Sequence, residues 1–342
     1  MRVLIIKTSS LGDIVHTLPA LSDAQKAIPG IEFDWVVEEA FASIPAWHSA
    51  VNEVIPVALR RWRRALFASA TRQQWRSFKQ HLQAKQYDRV IDAQGLLKSA
   101  WLTAKANGPS HGYDRQSARE GLVASTYQVK HRVARDQHAI DRVRALFAAA
   151  LGYPLPAGLP DYGIARNRAN IDAAQLVFLH GTTWPSKHWP EQYWRQLAEI
   201  AATAGYRVVL PSGNAEERAR AQHLAENNDP VQAAAAMDLE ELANLLASSA
   251  GAVAVDTGLG HLAAALALPT VSLYGSTDPA LTGTHGQYQA QLAAEFDCAP
   301  CLQRQCSYNK PAAVSPACYQ SLQPQQVWDK LQQLVQEKEG NK

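Results

Sequence analysis

The stretch from Ala252 to Leu266 constrains the fold of this chain more than any other. It begins with a short apolar run typical of a buried strand, and a glycine-bearing turn and a helical segment follow. Glycine lets the backbone approach a ligand closely, and the N–H groups at a helix start favour an anion. Asp256 and His261 add polar side chains at the turn. The pattern predicts a site for a nucleotide diphosphate.

A second, weaker copy of this pattern opens the chain. Val3 to Ile6 is an apolar run, Lys7 to Asp13 is a polar turn, and a helical pattern with Ile14 and Leu18 on one face follows. Because each half of the chain carries a strand, a polar turn and a helix, we expect a ligand cleft between two similar halves.

The alternation of predicted strands and helices favours an α/β fold with doubly wound parallel sheets. The predicted strands are Val3–Ile6, Phe33–Val37, Val54–Val57, Arg89–Asp92, Leu176–Leu179, Arg207–Leu210, Ala252–Val255 and Thr270–Tyr274. Residues 152–160 are rich in proline and glycine and are predicted to form a linker and hinge. We predict domains at 1–160 and 161–322, and a helix within 323–342 that closes on the body of the protein.

The composition supports two folded domains and gives no reason to expect a nucleic-acid partner. Of 342 residues, 47% are hydrophobic, and the net charge is only +2. The basic residues nevertheless cluster at residues 60–64 and 130–135. Such a cluster is either a solvated face or a pocket for an anionic acceptor at a membrane surface.

The chain shows no secretory signal and no apolar run of the roughly 20 residues that span a bilayer. Its four cysteines all lie late in the sequence and fit a reducing compartment. We therefore expect a cytoplasmic protein, peripheral to the cytoplasmic face of the inner membrane, that acts as a monomer.

Several segments, in order along nearly the whole chain, resemble the lipopolysaccharide heptosyltransferases. The similar segments are Met1–Leu21, Phe33–Glu39, Asp92–Ser99, Lys187–Pro190 and Asp256–Leu262. Within the family, residues 35–39 and 60–64 are more similar to the first heptosyltransferase of the pathway than to the second or third.

The resemblance implies a GT-B fold, with two Rossmann-like domains that face one cleft. It implies an inverting glycosyltransferase whose N-terminal domain binds the acceptor, Kdo2-lipid A. The C-terminal domain would bind the donor, ADP-L-glycero-β-D-manno-heptose, and no cofactor is expected.

Asp13 is the candidate general base for the acceptor hydroxyl. It lies at the turn after the first predicted strand, where a carboxylate can reach an incoming hydroxyl. From local sequence alone, a helix N-cap is the more common role for such an aspartate, and the resemblance favours the base. The two roles are compatible, since a helix start would keep the carboxylate ionised but weaken it as a base.

The departing diphosphate needs positive charge or hydrogen-bond donors. No two aspartates lie two positions apart, so the Asp-x-Asp metal motif is absent, and we expect cationic and backbone stabilisation without a catalytic metal. Lys187 is the candidate cation, although an isolated lysine in a loop is usually solvated. Thr182 and Thr183 are candidate donors to phosphate oxygens.

The remaining donor-binding candidates follow other predicted strands of the second half. They are Glu217, Met237, Asp256, Thr257, Gly258 and His261. Asp256 would repel a phosphate, so we expect it to bind sugar hydroxyls or to hold His261. Glu217 could take ribose hydroxyls, although exposed helix glutamates are the more common outcome, and His261 could simply pack within its helix.

The acceptor carries phosphates and sugar carboxylates, which arginine can bind with two parallel hydrogen bonds. The acceptor-binding candidates are Ser9, Ser10, Gly12, Arg60, Arg63, Arg64, Lys98 and Arg119.

Cys298, Cys301, Cys306 and Cys318 fall within 21 residues and open with a C-x2-C pair. This spacing leaves open a structural zinc or iron–sulfur site. A zinc-dependent interaction module is accordingly one alternative function. A later heptosyltransferase of the pathway and a non-catalytic nucleotide-sugar binding protein are two others. An NAD-dependent dehydrogenase is disfavoured because the first predicted strand is not followed by Gly-x-Gly-x-x-Gly.

Overall fold

A computed structural model of the chain describes residues 1–164, 171–226 and 229–341. The chain divides into two compact units, Met1–Ala165 and Arg166–Lys342. Each unit is built on one six-stranded parallel sheet, so the predicted α/β class is confirmed.

The first unit alternates strands with helices of very different lengths. Its strands are β1 (Arg2–Ile6), β2 (Glu32–Glu38), β3 (Val51–Val57), β4 (Arg89–Asp92), β5 (Ser110–Tyr113) and β6 (Val129–His131). Its helices are α1 (Leu11–Val15), α2 (Leu18–Ala27), α3 (Ser43–Ala46), α4 (Leu59–Trp62), α5 (Ser69–Gln83), α6 (Leu97–Thr103) and α7 (Ala139–Leu151).

The second unit repeats the same alternation. Its strands are β7 (Asp172–Leu179), β8 (Arg207–Leu210), β9 (Val231–Ala233), β10 (Ser249–Val255), β11 (Thr270–Tyr274) and β12 (Gln289–Ala293). Its helices are α8 (Glu191–Thr203), α9 (Ala215–Ala225), α10 (Leu239–Ala247), α11 (Gly258–Ala265), α12 (Pro279–Thr282) and α13 (Pro324–Gly340).

Both sheets have the same doubly wound topology. The strand orders are β3-β2-β1-β4-β5-β6 and β12-β11-β10-β7-β8-β9. The direction of winding reverses between β1 and β4 in one sheet and between β10 and β7 in the other. Ligands of such sheets bind beyond the carboxyl ends of the strands at this reversal. The turns after these four strands are therefore the places to look for a site.

The central strands are apolar because both of their faces are covered by helices. Val3 to Ile6 in β1 are fully buried, and every residue of β10 is buried. Gly260 lets α11 approach the sheet, since a Cβ there would lie 3.2 Å from the Cβ of Ala254. The predicted strand-turn-helix patterns are confirmed in both units, whereas the short strands β5, β6, β9 and β12 were not predicted.

The segment predicted as a linker, residues 152–160, makes contacts with the first unit. The guanidinium group of Arg144, which is buried, donates to the carbonyl oxygens of Pro156 at 3.2 Å and Gly158 at 3.3 Å. The same group pairs with Asp23 at 2.6 Å. These contacts join the segment to the first unit, and its predicted role as a linker and hinge stays a prediction.

The predicted helix near the C-terminus is present as α13. Its apolar face, with Val327, Leu331 and Val335, is buried against α8, β10 and β11 of the second unit. Among the described residues, no helix is long and apolar enough to cross a membrane.

Candidate functional site

The turn after β1 holds Asp13 in a capping box at the start of α1. The backbone N–H of Ser10 donates to Asp13 Oδ2 at 2.9 Å, and the Ser10 hydroxyl donates to the same oxygen at 2.7 Å. Lys7 Nζ lies 3.6 Å from Asp13 Oδ1. The N-cap residue is therefore Ser10, and Asp13 is the third residue of the helix. Its side chain is 38% exposed, so a ligand can reach the carboxylate.

The pKa of Asp13 lies well below its usual range. Burial raises this pKa, but the charge of Lys7 and the two hydrogen bonds from Ser10 lower it by more. The carboxylate is therefore ionised throughout the physiological range and is a weak base in the resting protein. A proton can move to it only as the acceptor oxygen becomes acidic in the transition state.

Residues that follow β4 form hydrogen bonds with the turn after β1. The side-chain oxygen of Gln94 accepts from both the backbone N–H and the hydroxyl of Thr8, at 2.8 Å each. At the start of α6, Lys98 Nζ donates to Ser9 Oγ at 2.9 Å. Burial lowers the pKa of Lys98, as do the charges of Arg60 and Arg119, whereas Glu38 and Asp13 oppose that shift. Lys98 therefore lies at the turn that holds Asp13, and its pKa reflects the positive charges of Arg60 and Arg119.

The other acceptor candidates occupy less defined positions. Gly12 is buried in α1, and Arg60 is held by its backbone N–H, which donates to Glu38 Oε1 at 2.9 Å. Arg63 and Arg64 are exposed in the loop after α4, so the structure places them in solvent. Their role in acceptor binding stays a prediction.

In the second unit, Lys187 and Asp256 form an ion pair. Lys187 Nζ lies 2.6 Å from Asp256 Oδ2, and the two side chains are 15% and 8% exposed. The Thr277 hydroxyl donates to the same carboxylate oxygen at 2.6 Å, and the Thr182 hydroxyl donates to the Asp256 carbonyl oxygen at 3.1 Å. The structure thus joins the turns after β7, β10 and β11. Lys187 is not a solvated loop lysine, and Asp256 holds this lysine, a partner that the sequence did not predict.

Two other donor-binding candidates lie at the start of α11. Thr257 is the N-cap residue, and Gly258 is the first helical residue. A helix start of this kind can present backbone N–H groups to an anion, although the N–H of Gly260 already donates to the carbonyl oxygen of Thr257 at 3.1 Å. His261 is 6% exposed and makes contacts within the protein, in agreement with a packed helix residue.

The side chain of Glu217 lies between the turns that follow β7 and β8. Its carboxylate accepts from the backbone N–H of Gly213 at 2.7 Å. A Cβ at Gly181 would lie 2.6 Å from Glu217 Cδ, so glycine is required for the carboxylate to reach this position. Glu217 is half-buried, which differs from an ordinary exposed helix glutamate. Met237 is half-buried in the segment between β9 and α10, and Thr183 is exposed near Lys187.

The four cysteines are free thiols between β12 and α13 of the second unit, with Cys318 in a short 3-10 helix, Ala317–Ser321. Cys298 and Cys306 are exposed, Cys301 is half-buried and Cys318 is buried. Burial raises the pKa of Cys318 to about 11, with a further contribution from each of the other three thiols. In the parts of the chain that the structure describes, no three His, Cys, Asp or Glu residues are placed to hold a metal ion. A metal site at these cysteines stays a prediction.

Sequence reasoning missed four residues that position the candidates. Lys7 and Gln94 act at the first turn, as described above. Thr277 binds Asp256, and the Tyr319 hydroxyl donates to the carbonyl oxygen of Lys187 at 2.9 Å. The first three follow the ends of central strands, which is a signal that the sequence contains. Tyr319 lies 132 residues from Lys187 and has no such signal.

Comparison with known proteins gives one family. The family model "Glycosyltransferase family 9 (heptosyltransferase)" matches residues 75–312. Lipopolysaccharide heptosyltransferase 1 of Pseudomonas aeruginosa is 52% identical, and the match covers 98% of both chains. Its namesake from Escherichia coli K12 is 52% identical over 84% of this chain and 92% of its own length.

Solved structures agree with the sequence matches. The E. coli heptosyltransferase WaaC with ADP matches with a TM-score of 0.83 and 52% identity, over 86% of this chain and 94% of that chain. WaaC with ADP-2-deoxy-2-fluoro heptose also matches with a TM-score of 0.83, at 46% identity over 97% and 99%. E. coli heptosyltransferase II, at 21% identity and a TM-score of 0.77, shares the fold.

Proposed function

The chain belongs to glycosyltransferase family 9, the heptosyltransferases, and we propose that it transfers L-glycero-D-manno-heptose from ADP-L-glycero-β-D-manno-heptose to Kdo2-lipid A, a step of lipopolysaccharide inner-core synthesis. One observation carries the proposal: 52% identity over 98% of both chains to a lipopolysaccharide heptosyltransferase 1. The fold is the GT-B fold of two Rossmann-like units, matched by WaaC structures at a TM-score of 0.83.

The donor diphosphate binds at the turns after β7 and β10 in this proposal. Lys187 faces the leaving phosphate, and the N–H groups of the first turn of α11 add dipolar stabilisation. The ion pair with Asp256 holds the lysine in place before the donor arrives, so little reorganisation is needed during the reaction. Glu217, fixed between the ends of β7 and β8, takes ribose hydroxyls.

The acceptor hydroxyl binds at Asp13, which accepts its proton as the new bond to the anomeric carbon forms. Because the pKa of Asp13 is lowered, the proton moves late, when the attacking oxygen carries positive charge. Attack from the face opposite the leaving ADP inverts the anomeric centre. Lys98, Arg60 and Arg119 bind the phosphates and carboxylates of the acceptor.

The acceptor is a lipid, so the reaction takes place at the cytoplasmic face of the inner membrane, with the protein bound peripherally. One chain carries both the donor and the acceptor candidates, which supports a monomeric enzyme.

Transfer without a metal ion is the first expected result. Purified protein, ADP-heptose and Kdo2-lipid A should give the singly heptosylated lipid, detected by mass spectrometry, at the same rate with and without EDTA. The reason is that Lys187 and backbone N–H groups neutralise the diphosphate.

Three outcomes of this assay would contradict the proposal. Loss of product in EDTA, restored by a divalent cation, would contradict the metal-independent mechanism. Product formed only on an already heptosylated core would identify a later enzyme of the pathway. Donor binding without any transfer would indicate a nucleotide-sugar binding protein.

A further inference from the structure

The first unit contains a long segment without negative charge. From Val54 to Tyr87 the sequence has eight lysines and arginines and no aspartate or glutamate. Two of the eight are neutralised, because Arg61 pairs with Glu39 and Lys85 pairs with carboxylates of β2 and β3. Five others have no ion pair to any described carboxylate, namely Arg63, Arg64, Arg72, Arg76 and Lys79. In a chain of net charge +2, this is a strong local excess.

The middle of this segment exposes large apolar side chains. Every residue from Arg63 to Ala70, between α4 and α5, is exposed. Phe67 is 91% exposed and Leu66 is 58% exposed. This apolar pair follows Arg63 and Arg64 after one alanine, and such an exposed apolar pair is typical of an interaction site.

Helix α5, which follows the loop, has separate apolar and basic faces. Phe78 and Leu82 are buried against the first unit. Arg72, Arg76 and Lys79 are spaced by four and three residues, so they form one exposed stripe beside the buried face.

Helix α6 continues the exposed apolar surface. Trp75 of α5 stacks on Trp101 of α6, with ring centroids 4.4 Å apart. Trp101 is 45% exposed, and Leu97, one turn earlier on the same face, is 60% exposed. The backbone N–H of Leu97 donates to Glu120 at 2.7 Å, and Leu122, two residues after Glu120, is 74% exposed.

We propose that residues 63–79, together with Leu97, Trp101 and Leu122, form a docking surface for an anionic phospholipid bilayer. Leu66 and Phe67 insert among the acyl chains, Trp101 lies at the headgroup level, and the basic stripe of α5 contacts lipid phosphates. Apolar residues flanked by cations are the combination that binds an interface between water and anionic lipid. The inference rests on the proposed function, since a lipid acceptor must be reached at such a surface.

The start of α6 also carries an acceptor candidate. Lys98 follows Leu97 directly, and its Nζ donates to Ser9 Oγ, in the turn that holds Asp13, at 2.9 Å. Docking through this surface would therefore hold the lipid headgroups near that turn.

A vesicle-binding experiment tests the surface. We expect wild-type protein to co-sediment with vesicles of equal parts phosphatidylcholine and phosphatidylglycerol, and much less with phosphatidylcholine alone. Replacing the loop tip, L66S/F67S, should weaken binding about tenfold, because two side chains lose their burial in lipid. The matched control is L155S/L159S, which changes two leucines that are 49% and 57% exposed elsewhere in the unit and should bind as wild type does.

A charge variant separates the two contributions. R72Q/R76Q/K79Q should also weaken binding at least about tenfold and should abolish its dependence on phosphatidylglycerol. The inference would be overturned if wild-type protein bound equally to vesicles with and without phosphatidylglycerol. It would also be overturned if L66S/F67S bound as well as the control L155S/L159S. Both variants should retain full transfer to a deacylated, water-soluble acceptor. If wild-type protein binds the vesicles but transfers nothing to that acceptor, the proposed function fails and the docking surface stands.

Discussion

Asp13→Asn is expected to lower kcat about 10³-fold, because the amide cannot accept the proton of the acceptor hydroxyl. Asparagine can still accept hydrogen bonds from Ser10, so the start of α1 should persist and the melting temperature should change little. The donor site lies in turns of the second unit. We therefore expect ADP-heptose to bind with a Kd within about twofold of wild type, measured by calorimetry.

The control for this variant is Asp114→Asn. Asp114 is another aspartate of the first unit whose carboxylate accepts hydrogen bonds, here from Ser117 at 2.6 Å, and whose pKa is lowered by them. Asp114 follows β5, which is not one of the two strands, β1 and β4, at the reversal point of the sheet. Its replacement should leave kcat unchanged. An Asp13→Asn enzyme with kcat within about tenfold of wild type would exclude Asp13 as the base.

Lys187→Met should lower kcat about 10²- to 10³-fold and weaken ADP binding, because the departing diphosphate loses its cation. The substitution also leaves Asp256, whose side chain is 8% exposed, without its ion-pair partner. Breaking a largely buried pair in this way costs about 3 kcal/mol of folding free energy. Lower activity alone would therefore not separate a catalytic from a structural role.

The double variant Lys187→Met/Asp256→Asn separates the two roles. It removes both charges, so the melting temperature should recover towards wild type while kcat stays low. Lys310→Met, at an exposed lysine of the same unit, is the control and should change neither quantity. Recovery of kcat together with stability in the double variant would show that Lys187 acts only through folding.

The parts of the fold that local sequence determines were predictable. β1 and β10 are continuous apolar runs followed by polar, glycine-bearing turns, and both form as predicted. The short strands β6 and β9 have three residues each, too few for a periodic pattern, and form because a neighbouring strand offers its free edge.

In the candidate site, too, some features follow from local sequence and others depend on how the strands are arranged in the sheet. Asp13, Lys187 and Asp256 could be named as candidates from the sequence, since each follows a predicted strand, and their roles stay predictions. The sequence did not predict that Lys187 pairs with Asp256, because the two residues are brought together only by the adjacent positions of β7 and β10 in the sheet. The contacts of the proline-rich segment could not be predicted for a related reason. Its composition is typical of a linker, but the buried guanidinium group of Arg144 fixes it by contacts with backbone oxygens, which composition does not reveal.

The pH dependence of kcat/KM in Lys7→Met, compared with wild type, tests most directly whether the Asp13 carboxylate is the base. In wild type the pKa of Asp13 is lowered, so activity that needs the ionised carboxylate is present above that pKa and is lost only in strong acid. Removing the charge of Lys7 takes away the largest of the effects that lower this pKa, so the pKa rises although the hydrogen bonds from Ser10 remain. The account predicts that the acid limb of the profile moves to higher pH in Lys7→Met, while kcat/KM near neutral pH is retained or increased by the stronger base. Superimposable acid limbs in the two proteins would contradict it.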